Sequence, residues 1–245
     1  MRAATAIMFV LGLFVTPAAR SEPLVADISD KLIAVTTGFS GAEVLLFGAT
    51  DGEGDVIVLV RGPDSRIVVR RKQRVGAIWV NGASAVFQDV PSYYHLAATR
   101  PVEEILPTPI LGRERIGLEH LNLSAENLLA SPQSDSFRAA LIRNQQKRGL
   151  YLTTPGSVKF LGNQLFSTRV IFPANVSTGR YAVDVLLVRD GGVVSRTSTP
   201  LEIRRQGFEA GVFEFAHKRS ALYGLIAILV ALVAGWLAGL IFRKV

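Results

Sequence analysis

The feature that most constrains this chain is a charge-free apolar run of 23 residues near its end, residues 220–242 (SALYGLIAILVALVAGWLAGLIF). As a helix rising ~1.5 Å per residue it spans roughly 34 Å, enough to cross a hydrocarbon core of ~30 Å. Tyr223, Trp236 and Phe242 sit toward its ends, where amphipathic rings favour a membrane interface, and Arg243 and Lys244 follow at once. The other end of the chain reads as a secretory leader over residues 1–21. Arg2 supplies the positive start, an apolar stretch of 13 residues (3–15) is too short to span comfortably, Pro17 breaks it, and Ala19 and Ser21 place small residues before a cut ahead of Glu22. A leader followed by a C-terminal span predicts one transmembrane helix, an exported middle and a cytoplasmic tail of residues 243–245. His217, Lys218 and Arg219 slightly outweigh that tail in charge, so the leader sets the orientation. Small residues Ala231, Gly235 and Gly239 fall four apart on the span, a spacing that lets a second helix approach closely.

Charge and composition narrow the classes. The net charge is +7, yet all 20 acids lie between Glu22 and Glu214, while Arg2, Arg20, Arg243 and Lys244 are four of the 27 basic residues. The middle keeps an excess of three, two of them Lys218 and Arg219 at the membrane edge, which argues against nucleic-acid binding. With no cysteine there are no disulfides, no thiolate metal site and no cysteine nucleophile, so stability has to come from a core.

Between the ends the chain reads as mainly β. Segments 31–37, 43–48, 55–61, 66–74, 77–80, 85–88 and 93–98 are short strands separated by Gly, Pro, Asp and Asn, and this spacing predicts an Ig-like antiparallel β-sandwich region over 22–100. Residues 101–149 form a Pro-rich connector holding a helix near 135–148, opened by Ser134 or Asp135 and closed by Gly149. A C-terminal β region over 150–206 follows, with strands at 158–161, 165–172 and 180–189 and a hairpin through Asp190-Gly191-Gly192 into 193–204. Residues 207–219 form a juxtamembrane segment. Periodicity leaves open whether the two β regions are one large sandwich or two small ones.

Chemical motifs are sparse. Asp51, Glu53 and Asp55 have the spacing of calcium-loop oxygens but lack the other ligands, and a glycine-rich strand turn explains them better. His95, His120 and His217 show no metal-ligand spacing, and no GxSxG marks a nucleophile. Neither catalytic residues, a metal nor a cofactor is expected, so the chain does not read as an enzyme. Arg66, Arg70, Arg71, Lys72 and Arg74 form the one basic cluster. It either meets anionic lipid or an acidic partner, or is a solvated edge strand guarded against aggregation.

In five stretches the chain carries a recognisable text: Glu22-Pro-Leu-Val-Ala-Asp-Ile-Ser-Asp30, Gly41-Ala-Glu-Val-Leu-Leu-Phe-Gly-Ala-Thr50, Val60-Arg-Gly-Pro63, Val69-Arg-Arg-Lys72 and Ile78-Trp-Val-Asn81. Through these, and through most of its length, it resembles the alphaproteobacterial transmembrane protein family Alph-Pro-TM. The resemblance implies an inner-membrane, single-pass protein with a periplasmic domain, whose relatives are often encoded beside sulfite-exporter-type permeases. The expected function is a non-catalytic, membrane-anchored accessory protein. Its partners would be the bilayer and an anion permease, or a second copy through the span. A periplasmic module binding an anion or small ligand near Arg61, Arg66 and Arg70 is the alternative, and a periplasmic hydrolase ranks last.

Overall fold

The computed structural model describes residues 22–126 and 132–206, with helical stretches at 223–224, 228–229 and 231–237. The expected leader, the juxtamembrane segment and much of the apolar run therefore lie outside the described residues. Among the described residues no helix is long and apolar enough to cross a membrane.

The architecture is mainly β, in several sheets with few helices. With strands numbered along the chain, a four-stranded sheet has the order β1 (Leu24–Ile28), β3 (Gly41–Thr50), β10 (Leu165–Pro173), β9 (Lys159–Leu161). A six-stranded sheet has the order β2 (Leu32–Val35), β12 (Gly192–Arg205), β11 (Gly179–Arg189), β4 (Asp55–Arg61), β7 (Tyr94–Ala98), β8 (Gly156–Ser157). A separate two-stranded ribbon joins β5 (Asp64–Val75) to β6 (Ile78–Pro91). Within the six-stranded sheet β2 pairs parallel with β12 and β8 parallel with β7, and every other ladder is antiparallel. The segments before and after the connector are interleaved: β3 pairs with β10, and β4 with β11. The two β regions therefore build the same sheets.

The six-stranded sheet is covered on both faces, which is why β4 reads as an unbroken apolar run. Val56, Val58 and Val60 point one way and Ile57 and Leu59 the other, and all five are buried. The same holds for Val183 to Val188 on β11. The inner face meets the four-stranded sheet across a core holding Leu24, Val44, Leu46, Phe166 and Phe172. The outer face meets the connector. Here lie α1 (Val102–Ile105), α2 (Thr108–Glu114), one 3-10 turn (Leu118–His120) and α3 (Pro132–Lys147). Val102, Ile105, Leu106, Leu111, Ile116, Phe137 and Leu141 are among its buried side chains. The sequence placed α3 correctly but read α2 as irregular. Pro107 and Pro109 open that helix, because their fixed φ suits a first turn that has no use for their missing N–H.

Aromatic contacts lock the two sheets. Phe172 on β10 stands edge-on to Tyr181 on β11 at 5.7 Å and stacks on Tyr93 at 5.0 Å. Four buried tyrosines also donate to backbone carbonyls of loops or strand ends: Tyr93 to Ile171 (2.7 Å), Tyr94 to Arg115 (3.3 Å), Tyr151 to Pro91 (2.7 Å) and Tyr181 to Ser177 (2.6 Å). Burial raises the phenol of each, Tyr94 and Tyr181 to about 12, so all four stay protonated donors at any physiological pH. Thus a chain without cysteine ties its loops with phenols.

The β11–β12 hairpin turns at Asp190 and Gly191, both at positive φ (50° and 70°), the conformation a two-residue turn needs. Register then fixes what shares an end of the body. Arg61 at the end of β4 pairs with Ala182 and with Tyr94 at the start of β7, and Ile203 near the end of β12 pairs with Gly179. The ribbon thus departs from, and returns to, the end at which β12 finishes. Its strands are longer than expected: 77–80 and 85–88 fuse into β6, with Asn81 held in the ladder opposite Lys72.

Phe172→Ala removes the ring shared by both sheets. It is expected to lower stability by about 3–5 kcal/mol, read as a shifted urea midpoint at unchanged slope.

Candidate functional site

A cleft of about 660 Å³ lies between α3 and the outer face of β7. Its floor is apolar, built from Leu96, Ile116, Leu118 and Ile142, while the acids Glu103, Glu119 and Asp135 and the bases His120, Arg138 and Arg143 line it as well. That volume suits a small ligand. Arg138 is half-buried and committed, because its Nη2 donates to the carbonyls of Glu119 and Leu121 and so clamps the turn that carries His120. No hydrogen bond or ion pair joins the His120 imidazole to an acid among the described residues. Nor do three metal-ligating side chains converge among those residues.

His95 lies elsewhere, on the inner face of the six-stranded sheet. Its ring stacks beside Tyr93 at 6.5 Å, Nδ1 lies 3.5 Å from the Tyr93 hydroxyl, and Nε2 has no hydrogen-bond partner. Burial in this aromatic surrounding lowers its pKa to about 4, so the folded protein keeps it neutral. Neither His95 nor His120 is joined to a carboxylate and a hydroxyl in the manner a hydrolase needs.

The three arginines singled out by the sequence lie in different settings. Arg61 sits on the outer face of β4, pairs with Asp184 at 3.3 Å and donates from Nη2 to the Glu114 carbonyl at 3.1 Å. Its charge is answered inside the body and ties α2 to the sheet. Arg66 and Arg70 are exposed on β5 of the ribbon. The acidic triplet is also accounted for by arginines. Asp55 receives Arg100 Nε and Nη2 and the Thr99 hydroxyl, which hold its carboxyl below the usual range. Asp51 and the Glu53 carbonyl receive Arg189. These residues form a braced strand turn, as their spacing suggested. Ala231 and Gly235 are exposed within the helical stretch 231–237, and Gly239 lies outside the described residues.

Two surfaces were not foreseen. The outer face of the four-stranded sheet carries Val25, Leu45, Phe47, Leu161, Leu165 and Ile171, all exposed. Register brings Val25, Ala49, Leu165 and Leu161 into one row across all four strands, with Phe47 in the next. The signal in the sequence was the apolar run 44–47, which leaves no polar side for solvent. The second surface is the ribbon tip, where Val75, Ile78 and Trp79 are 56, 64 and 67% exposed.

The family model described as "Putative transmembrane protein (Alph_Pro_TM)" matches residues 23–244. The chain belongs to that family, in agreement with the motifs that resembled it. No curated protein matches the chain.

Two measurements follow from these settings. An unfolded chain protonates His95 near the ordinary value of 6.5, whereas the folded one resists to about 4, so stability falls as pH drops through that window. The expected loss between pH 7 and 5 is about 2 kcal/mol, and His95→Leu should abolish this slope in urea titrations at each pH. Asp184→Ala leaves the Arg61 guanidinium uncompensated and should cost about 3 kcal/mol, with most of that recovered in the Arg61→Met, Asp184→Leu double variant.

Proposed function

We infer that this is a non-catalytic accessory protein of the bacterial inner membrane. Residues 220–242 anchor it, and its β body, an Ig-like sandwich closed by the connector helices, stands in the periplasm and docks a membrane partner. The observation that carries the reading is the bare outer face of the four-stranded sheet. An antiparallel sheet with one face in water alternates apolar and polar residues, yet here Val25, Leu161, Leu165 and Phe47 face outward side by side, with Leu45 and Ile171 beyond them beside the Arg169–Glu43 ion pair. A contiguous apolar patch on a soluble body marks a protein-binding surface. Membership in a transmembrane family and the charge-free run 220–242 support a partner that is itself in the membrane. The sulfite-exporter-type permease implied by the family resemblance fits that description, with Ala231, Gly235 and Gly239 available for contact between helices.

Purification of the tagged full chain in mild detergent tests this. A permease should co-purify, and Phe47→Asp with Leu165→Asp should release it while the far-UV spectrum stays unchanged. A lone monomer with no permease enriched over a control bait overturns the reading, and so does a pure homo-oligomer, which would indicate self-association.

A further inference from the structure

No acid answers the charge of the ribbon among the described residues. From Arg66 to Gln88 there are five cations, Arg66, Arg70, Arg71, Lys72 and Arg74, and no acid. None of the five is in an ion pair among the described residues. Arg71 alone is engaged with the body: its Nη2 donates to the Ser136 hydroxyl at 3.0 Å and its guanidinium lies 5.2 Å over the Phe137 ring. That contact fastens the ribbon to the first half of α3 and leaves residues 72–79 beyond it exposed.

Past that point the ribbon has two unlike faces. Directly paired residues share a side, so Lys72 with Asn81 and Arg74 with Trp79 make a cationic face carrying an indole. Gln73 with Val80 and Val75 with Ile78 make the opposite, mostly apolar face. The turn is tight, since Gly76 takes the positive φ (63°) required at its first position, and Arg74 Nε caps it by donating to the Gly76 carbonyl at 2.9 Å. The guanidinium is thereby held at the tip beside three exposed apolar side chains.

We propose that the β5–β6 ribbon docks on the surface of a bilayer, with Arg70, Lys72 and Arg74 on the phosphates of anionic lipid headgroups and Val75, Ile78 and Trp79 among the upper acyl chains. Charge complementarity selects an anionic surface. The tip selects lipid, because indole and aliphatic side chains beside cations match the headgroup boundary, where rings anchor and basic residues gain from negative surface potential. A chain of a transmembrane family has such a surface at hand. The ribbon springs from the end of the body at which β12 finishes, and residues 206–219 separate that strand from the apolar run.

The full chain has two tryptophans, so Trp236→Phe leaves Trp79 as the sole reporter. This variant is reconstituted with vesicles of phosphatidylcholine alone or with phosphatidylglycerol added, each carrying brominated acyl chains, and followed by flotation and fluorescence. Trp79 is expected to be quenched in the anionic vesicles only. Quenching should be relieved by high salt and by Arg70→Gln, Lys72→Gln, Arg74→Gln, about fivefold in lipid contact per charge removed. Co-flotation with both lipids while Trp79 stays unquenched overturns the proposal in favour of a protein partner for the ribbon. Equal quenching in both overturns the choice of anionic lipid. Flotation with anionic vesicles alone upholds the ribbon and rejects the anchor, and flotation with neither rejects both.

Discussion

Everything in this fold hangs on the pairing of β4 with β11. These two strands are the centre of the six-stranded sheet, and their side chains are buried on both faces almost without interruption. A strand pair of that kind exposes no face to water and must be roofed twice. One roof is the four-stranded sheet. The other is the helical connector, whose short helices would have no reason to hold their shape alone. The cleft beside α3, the clamp of Arg138 and the Arg61–Asp184 pair are all consequences of laying that second roof over an already complete sheet.

The chain solves its polar problem economically. Buried tyrosines reach loop carbonyls that would otherwise face an apolar interior, and arginines finish strand turns on carboxylates. Such contacts set the shape of the loops more than they raise stability. Net worth per hydrogen bond is about 1 kcal/mol, whereas leaving the group unmet costs more. His95 is one exception, and Arg61 Nε, Ser92 Oγ and Arg138 Nε are likewise unmet. His95 brings a titratable ring into the core with one nitrogen unmet, and the fold tolerates it only in its neutral form.

How much of this could be read from residues alone follows a physical line. β4 was expected at 55–61 and lies there, because turn clusters bound it on both sides. The hairpin at Asp190-Gly191 and the helix ending before Gly149 were equally plain, since their signals are local. β1 was not foreseen, because five residues with Asp27 among them carry little alternation. α2 was hidden by prolines that read as irregular chain when they were in fact its first turn. The partner of Arg61 stands more than a hundred positions away, and no periodicity can point that far. The basic cluster was visible as a composition. Its meaning depended on learning that it belongs to a ribbon buried at its base and bare at its tip.

The interleaving of early and late strands carries a consequence for synthesis. β3 and β4 are made early, yet the strands that flank them, β10 and β11, come more than a hundred residues later, and β2 waits for the last strand of all. The first half can pair β1 with β3, β4 with β7 and β5 with β6, but it can complete neither of the two packed sheets. Long-range pairing of this kind makes folding slow and late, since loop closure comes before any gain from contact. The nascent body stays open until β12 arrives to pair with β2 and β11. Such a chain is a natural client for whatever keeps half-made β proteins apart.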